Sequence, residues 1–329
     1  MNKQKQKYNN PFSATINGIR DLFKNKERVG TLSPGDRLDG KKVLVTGSSS
    51  GLGLATAKQL AALGAEVIMA VRSGIPARGE EVKKASGSSK VTMLPVDLSD
   101  FESIRNLVTV VKDRIGKIDV LICNAAMVSK KARKTGDGLE EMFTVNYLAK
   151  FYFVNLFIKK DLLNKTQDNI PRIIFVSSES HRNPEKFEWD DFGVFKDYGM
   201  SESIERYGYY KLLLTTFARE LSRRLNPGKH TEVSVFALCP GPVNSNIARE
   251  TPAIFQPLLK LIFGLFFRSP EKAAEPVVYF AASKDVEGKA RDYLFLMSRR
   301  PVDEKANNPE NGKRLWDMSE SLLKKHNLE

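Results

Sequence analysis

Two periodicities alternate along the chain from Lys41 onward. Short, almost wholly apolar runs predict strands that are buried on both faces, and longer stretches with helical spacing lie between them. The predicted strands are Val43–Val45, Val67–Val71, Val91–Val96, Val120–Cys123, Ile173–Ser177 and Val233–Leu238. The predicted helices are Leu52–Leu63, Phe101–Ile115, Leu139–Leu163 and Tyr207–Leu225. Strands that alternate with helices imply right-handed crossovers, so the sequence predicts an α/β fold with a doubly wound parallel sheet.

Both ends of the chain depart from this pattern. Residues 1–39 predict an N-terminal extension, in which apolar positions over 12–24 form a short helix that packs on the domain or lies on a membrane. Residues 40–300 form the predicted single domain, and residues 301–329 form a charged tail with a final helix around Leu315–Lys325. A length of 329 residues suits one large α/β domain with extensions, or two small domains.

The segment 251–268 is unusually rich in Phe, Leu and Ile. If its core, 253–267, forms a helix, that helix is apolar on almost every side, which is typical of a helix that another molecule or another part of the chain covers. Three interpretations remain open, namely a lid over a lipophilic substrate, a contact with a membrane, or a contact between two copies in a homodimer. Ordinary core packing is the plainer alternative.

Charge and cysteine content limit the partners that we expect. The chain has 52 Lys and Arg against 39 Asp and Glu, a net charge of +13, but the positive charges are scattered and no nucleic-acid motif accompanies them. They indicate a solvated surface or attraction to an acidic membrane. Two cysteines and three histidines give neither a disulfide framework nor the spacing of a metal site. With no recognisable secretory signal or spanning segment, we expect a cytoplasmic protein, with peripheral membrane association left open.

A glycine-rich turn follows the first predicted strand. Its spacing is G-x-x-x-G-x-G, and a helix comes directly after it, which is the context that a dinucleotide site requires. Glycines let the backbone approach a pyrophosphate, and the helix N-terminus offers free N–H groups to the phosphates. The residues predicted to bind the cofactor here are Gly47, Ser49, Ser50, Gly51, Leu52 and Gly53.

The end of the second strand bears on which dinucleotide binds. An acidic residue there would hold the ribose 2′-hydroxyl of NAD, but Val71 occupies the expected position and Arg72 follows it. A guanidinium can bind a 2′-phosphate through two hydrogen bonds. The sequence therefore favours NADP(H) over NAD(H), unless Arg72 is only a surface residue.

The third and fourth strands end in further candidate cofactor residues. Asp97, followed by Leu98, can accept a hydrogen bond from an adenine amino group, or it caps the next helix, a role for which Ser99 and Asp100 compete. Asn124 can tie neighbouring strands together, and Ala125 is small enough to let the chain pass close to the cofactor.

Tyr207 and Lys211 are four residues apart on a predicted helix and therefore share a face. A free tyrosine has a pKa near 10, which makes it slow as an acid–base at neutral pH, and a nearby ammonium lowers that pKa. Lys211 can do this and also bind the nicotinamide ribose. Ser178 can donate to the substrate oxygen, and Asn146 could hold a water that connects Lys211 to solvent or be a satisfied interior amide.

Residues 41–245 resemble the short-chain dehydrogenase/reductase superfamily. The matching segments are TGSSSGLG (46–53), VDL (96–98), CNAA (123–126), the helix with Asn146, VSS (176–178), YGYYK (207–211) and PGPVNS (240–245). Within it the chain is most similar to the retinol-dehydrogenase-like branch, on the strength of Arg72, the long Ser178–Tyr207 interval and the ending GKRLWDMSESLL (312–323).

The resemblance implies a Rossmann-type sheet of about seven strands with Tyr207 as acid–base, Lys211 and Ser178 as its partners and Asn146 as the fourth member. It also places Pro240, Gly241 and Val243 beside the nicotinamide carboxamide. Members of the branch act on retinoids, steroids and other lipophilic aldehydes and alcohols. The departures, Cys123 and Ala126 in the Asn-Asn-Ala-Gly pattern, Tyr210 before the lysine and Ala149 in place of glycine, remove no reacting group.

The sequence thus predicts an NADP(H)-dependent enzyme that interconverts an alcohol and a carbonyl on a lipophilic small molecule. Three alternatives use the same fold: a non-catalytic NADP-binding sensor or scaffold, a membrane-surface protein with a vestigial site, and a reductase of another double bond.

Overall fold

The fold is derived from a computed structural model, which describes residues 28–242 and 268–328. The helix predicted over 12–24, the apolar core 253–267 of the segment before Arg268, and the cofactor candidate Val243 lie outside the described residues.

Within the described residues, eight strands form one sheet in the order β3-β2-β1-β4-β5-β6-β7-β8. Every neighbouring pair from β3 to β7 is parallel, and only β8 runs antiparallel to its neighbour. The strands are Lys42–Thr46 (β1), Glu66–Val71 (β2), Val91–Pro95 (β3), Val120–Cys123 (β4), Arg172–Val176 (β5), Ser234–Cys239 (β6), Arg291–Phe295 (β7) and Ser298–Arg299 (β8). The chain order reverses between β1 and β4, which confirms the doubly wound, Rossmann-type prediction.

Helices connect these strands. They are Gly51–Ala62 (α1), Ala77–Ser86 (α2), Phe101–Val110 (α3), Ala149–Lys159 (α4), Met200–Leu225 (α5), Pro270–Ala282 (α6), Glu304–Asn307 (α7) and Pro309–Lys325 (α8). A π-helical turn, Thr144–Leu148, leads directly into α4, and a 3-10 turn, Glu179–Arg182, follows β5. None of the described helices combines the length and apolar character that a membrane span needs.

Two hydrophobic clusters cover the two faces of the sheet. Val43 and Val45 of β1 belong to the cluster under α1 and α6, whereas Leu44 between them belongs to the cluster under α3, α4 and α5. Successive side chains of a strand point to opposite faces, so a strand between two helical layers has to be apolar throughout. The unbroken apolar runs in the sequence have this cause.

The sequence prediction missed several elements and began one helix too late. Helix α2 buries only Gly79 and Val82, and β7 begins with two charged residues, so neither shows a strong apolar pattern. Helix α5 begins seven residues before Tyr207, because its first two turns are polar and largely exposed.

The C-terminal helix α8 packs on α5 and lies against the helix that carries Tyr147. Leu315, Trp316 and Leu323 are buried in the same cluster as α4 and α5. Trp316 lies 5.0 Å, ring centre to ring centre, from Phe151, and the Tyr147 hydroxyl lies 2.6 Å from Ser319 Oγ. These contacts brace the helix that positions Asn146 and the helix that positions Tyr207.

Candidate active site

The glycine turn joins β1 to α1 at the carboxyl edge of the sheet. Gly47 and Gly51 have positive φ angles of 67° and 52°, a conformation that favours glycine. At Gly53 the reason is space, since a Cβ there would lie 2.6 Å from Asn124 Nδ2 and closer still to Gly47 O. We call this turn, residues 47–53, the glycine cradle, and three of its positions carry no side chain.

The N-terminus of α1 is open to an anion. Ser50 is the N-cap, with extended backbone angles, and its side chain makes no capping hydrogen bond to the first turn of the helix. The free N–H groups of a helix start and its positive dipole end attract phosphate. These features fit the pyrophosphate of a dinucleotide, with Ser49, Ser50 and Leu52 lying around it.

Asn124 locks the turn to the end of β4. Its Nδ2 donates to Thr46 O at 2.9 Å and to Gly47 O at 3.1 Å. The backbone N–H groups of Asn124 and Ala125 donate to Thr46 Oγ1 at 3.1 and 3.2 Å. A Cβ on Gly47 would lie 2.7 Å from the Ala125 Cα, which shows how closely the two segments pass.

Arg72 lies exposed at the end of β2. Its Nη1 is 4.0 Å from Asp97 Oδ2, and 72% of its side chain is accessible. Arg78, which pairs with Glu81, packs beside Gly74, and Gly74 in turn lies against Ser49 of the glycine turn. Arg78 thus lies close to the glycine turn through Gly74, and it was missed because it belongs to the polar helix α2.

Asp97 closes a turn and leaves helix capping to Asp100. Asp97 Oδ1 accepts from Ser99 N at 2.9 Å and from Ser99 Oγ at 2.6 Å, and Asp100 is the N-cap of α3. Leu98 between them is buried. The other carboxylate oxygen of Asp97, Oδ2, lies 4.0 Å from Arg72 Nη1. Its expected hydrogen bond with the adenine of the cofactor stays a prediction.

Of the two serines after β5, the second lies with Tyr207. The Ser177 hydroxyl is buried and bonds Thr215 Oγ1 at 2.7 Å, inside the core. The Ser178 hydroxyl instead accepts from Ser180 N at 3.2 Å and lies near the Tyr207 phenol, whose pKa it lowers. Gly208 permits this approach, because a Cβ there would lie 3.0 Å from Ser180 O.

Lys211 lies one helical turn beyond Tyr207 and is 1% exposed. Its Nζ donates to Val176 O at 2.8 Å and lies 5.4 Å from the centre of the Tyr207 ring. Burial lowers the pKa of Lys211 to about 8. Burial also raises the pKa of the Tyr207 phenol above its usual value, while the nearby Ser178 hydroxyl lowers it. A protonated phenol thus lies beside a buried lysine.

Asn146 lies in the π-helical turn and is fully buried. Its side-chain amide makes both of its hydrogen bonds to one neighbour, since Oδ1 accepts from Met127 N at 2.9 Å and Nδ2 donates to Met127 O at 2.8 Å. The backbone carbonyl of Asn146 accepts a hydrogen bond from Lys150 Nζ at 3.0 Å. The water-holding role that we expected of the side chain stays a prediction.

Pro240 and Gly241 follow β6 at the same edge. Gly241 has a φ of 80°, and a Cβ there would collide with the Leu296 side chain. Leu296 N donates to Cys239 O at 2.8 Å, and Arg268 N donates to Pro242 O at 3.0 Å.

A polar network next to Ser178 was not foreseen. Glu179 accepts from the Tyr293 hydroxyl at 2.8 Å and from Arg300 at 3.0 Å. His181 Nδ1 lies 2.6 Å from Ser178 O, and its Nε2 accepts from Asp303 N at 3.3 Å. Because Nε2 accepts, the proton of the neutral ring is on Nδ1 and is donated to Ser178 O. The network joins the segment that holds Ser178 to β7 and the C-terminal region.

The buried His181 predicts a loss of stability in acid. Burial lowers its pKa from 6.5 to about 4. A group that stays neutral in the folded state stabilises the fold above its unfolded pKa, and this contribution is lost as the pH falls from about 6.5 to about 4. At about 1.4 kcal/mol per pKa unit, the loss is about 3 kcal/mol.

Urea unfolding of wild type and His181→Asn at about pH 7 and about pH 4 measures this contribution. We expect the stability advantage of the wild type to shrink by about 3 kcal/mol across that interval. His230→Asn removes an exposed histidine and is the matched control. An advantage of His181 that is equal at both pH values would contradict the assignment.

Comparison with known proteins agrees with this geometry. The model of the short chain dehydrogenase family matches residues 41–188. Retinol dehydrogenase 14 of Mus musculus is 33% identical over 315 residues, which cover 91% of this chain and 90% of that protein. Retinol dehydrogenase 12 of Mus musculus is 32% identical over 314 residues, covering 94% of this chain and 93% of that protein.

A solved structure shows the same fold. The Pseudomonas aeruginosa RhlG/NADP active-site complex superposes with a TM-score of 0.63 at 22% identity, covering 80% of this chain and 98% of that one. At that identity the likeness concerns the fold alone. The sequence relatives carry the assignment further: the chain belongs to the short-chain dehydrogenase/reductase family of oxidoreductases, in its retinol-dehydrogenase-like branch.

Proposed function

We propose that this protein is an NADP(H)-dependent oxidoreductase that interconverts an alcohol and a carbonyl on a lipophilic substrate. The observation that carries the proposal is the meeting of Ser178, Tyr207 and Lys211 at the carboxyl edge of the sheet that also holds the glycine cradle. Ligands of open parallel sheets bind at that edge, near the point where the strand order reverses.

The three side chains have complementary tasks in carbonyl reduction. Ser178 donates a hydrogen bond to the substrate oxygen, and the protonated Tyr207 phenol transfers its proton to that oxygen. The Lys211 ammonium stabilises the phenolate that remains. In alcohol oxidation the same phenolate takes the proton from the hydroxyl group. The bound nicotinamide supplies or accepts the hydride.

The cradle residues fit a dinucleotide, and the arginines at positions 72 and 78 fit one that carries an additional phosphate. Gly47, Gly51 and Gly53 leave the backbone open to the pyrophosphate. Arg72 directly follows β2, and Arg78 packs beside Gly74, which lies against Ser49, so these two arginines would supply positive charge for the ribose 2′-phosphate of NADP(H). Pro240 and Gly241 remain the candidates for the carboxamide end.

An apolar approach to the site supports a lipophilic substrate. Met200 and Ile204 are 64% and 50% exposed and precede Tyr207 and Lys211 at helical spacing, so the four share one face of α5. Val128 is 42% exposed, and the neighbouring Ser129 carbonyl accepts from Ser203 of the same helix. The names of the relatives point to retinol, which belongs to this chemical class.

Replacement of Arg72 tests the cofactor preference. Arg72→Ala removes a guanidinium that would form charge-assisted bonds to the 2′-phosphate, each worth about 1.5–3 kcal/mol. We expect the Kd for NADPH to rise about 10- to 100-fold, while the Kd for NADH changes little. Titration of both cofactors by quenching of tryptophan fluorescence measures the two constants. Equal weakening of both cofactors, or of neither, would show that Arg72 does not read the phosphate.

A further inference from the structure

A second buried lysine adjoins the proposed site and has no part in the mechanism above. Lys150 begins its side chain on the first turn of α4, is 1% exposed, and folds back against the π-helical turn. Its Nζ donates to Asn146 O at 3.0 Å and to Val145 O at 3.3 Å. Asn146 is the residue that the resemblance placed in the catalytic set, so Lys150 touches the site through a backbone carbonyl.

The π-helical turn explains why a lysine fits here. A π turn shifts the backbone bonding from i−4 to i−5 and leaves a carbonyl without its helical partner. A buried carbonyl without a donor is costly. Lys150 Nζ donates to two carbonyls of this turn, so the side chain stabilises the backbone distortion that orients Asn146.

No carboxylate in the described part of the chain forms an ion pair with Lys150. The titratable groups whose charge acts on it are Lys211 of α5 and Cys123 at the end of β4. Burial raises the pKa of the Cys123 thiol to about 12, so this group stays neutral and supplies no negative charge. Two lysines, each 1% exposed, therefore share one low-dielectric region without a counter-charge in this set.

Two ammonium groups in such a region repel each other, so the first proton is lost far more readily than the second. Burial, with the charge of Lys211 adding to it, lowers the pKa of Lys150 well below its usual value. Burial lowers the pKa of Lys211 less, to about 8. At neutral pH the shared positive charge therefore resides on Lys211.

We propose that Lys150 is a positioning residue of the active site, which as an uncharged amine holds the Asn146 carbonyl and leaves Lys211 the single cation of this buried pair. This inference rests on the proposed function, because the cation it preserves is the one that stabilises the Tyr207 phenolate. A second charge at position 150 would drive the proton off Lys211 and weaken that stabilisation.

The protonation state of Lys150 is tested without any activity. A lysine that is neutral when folded and charged when unfolded destabilises the fold increasingly as the pH falls below 10.5. We expect the ratio of folding equilibrium constants, Lys150→Met over wild type, to rise about tenfold per pH unit as the pH falls from about 9.5 to about 7.5. Lys159→Met, which removes an exposed lysine from the same helix, is the matched control. A flat ratio for Lys150→Met would overturn the proposal.

The effect on Lys211 is tested by the pH profile of kcat. Wild-type carbonyl reduction should decline above about pH 8, as Lys211 loses its proton. Lys150→Arg places a permanent charge there, so we expect this decline to move about one pH unit lower, with kcat at about pH 8 about fivefold below that of Lys150→Met. A purely structural role would lower the melting temperature of both variants and leave the profile in place.

The outcomes separate the two proposals. An inactive wild type would reject the oxidoreductase assignment, while the pH dependence of the stability ratio would still decide the state of Lys150. An active enzyme in which Lys150→Arg keeps the wild-type kcat and pH profile would reject the role of Lys150 alone. If Lys150→Arg fails to fold, the pH dependence of the Lys150→Met stability ratio decides the question.

Discussion

Tyr207→Phe should lower kcat for carbonyl reduction by about 10²–10⁴-fold, the contribution that a positioned general acid typically makes. The substitution removes one hydroxyl and keeps the ring, which lies partly buried against the core and 5.4 Å from Lys211 Nζ. Cofactor binding should change little, because the cradle lies on β1 and α1. The loss should therefore appear in kcat and not in the Kd for NADPH.

Tyr209→Phe is the matched control on the same helix. The Tyr209 hydroxyl accepts from Glu188 N at 3.0 Å, so its removal should cost stability and leave kcat near the wild-type value. Stopped-flow absorbance at 340 nm follows turnover in both variants. If Tyr207→Phe turned over within a few fold of wild type, another group would have to supply the proton.

Gly53→Ala should have the second largest effect, on cofactor binding. The added Cβ would lie 2.6 Å from Asn124 Nδ2 and closer to Gly47 O. Gly47 O belongs to the backbone, and Asn124 Nδ2 is held by hydrogen bonds to Thr46 O and Gly47 O. The glycine turn has to move away from β4, which distorts the cradle as a whole. We expect about 1–3 kcal/mol of destabilisation from overpacking and at least about 100-fold weaker NADPH binding.

Gly51→Ala distinguishes collision from backbone strain in the same turn. No atom lies within 4 Å of a Cβ on Gly51, but its φ is 52°, so alanine there costs about 1–2 kcal/mol of strain without blocking the turn. NADPH binding should fall less than in Gly53→Ala. Equal Kd values for the two variants, measured by fluorescence titration, would contradict the close packing of Gly53 on Asn124.

The sequence predicted what periodicity and spacing encode. The apolar runs predicted the first six strands, β1 to β6, because both faces of the sheet are covered, as Val43, Leu44 and Val45 illustrate. Tyr207 and Lys211 were found because helical spacing puts residues four apart on one face. Ser178 could be separated from Ser177 only through the family pattern, and the structure shows the difference, since Ser177 is bonded to Thr215 in the core.

Other features depend on contacts between distant segments. In the sequence Lys150 resembles any helix lysine, and only the structure shows that its Nζ donates to Asn146 O. His181 and Asp303 are 122 residues apart, and no local pattern links them. Helix α2, which carries Arg78, was missed because only two of its residues are buried. Such groups are identified by their burial and by distances to other residues, and the sequence alone contains neither.

Transfer of deuterium from C4-deuterated NADPH to a carbonyl substrate is the most direct test of the proposed hydride transfer. The purified protein would be given labelled NADPH or labelled NADH with a panel of a retinoid aldehyde, a steroid ketone and a medium-chain lipid aldehyde, and the products would be examined by mass spectrometry. We expect an alcohol product that carries one deuterium on the former carbonyl carbon, with NADPH preferred and with product formation by Tyr207→Phe lowered at least about 100-fold. Tight NADPH binding with no labelled product across the panel would contradict it and would favour a protein that senses NADPH without catalysing hydride transfer.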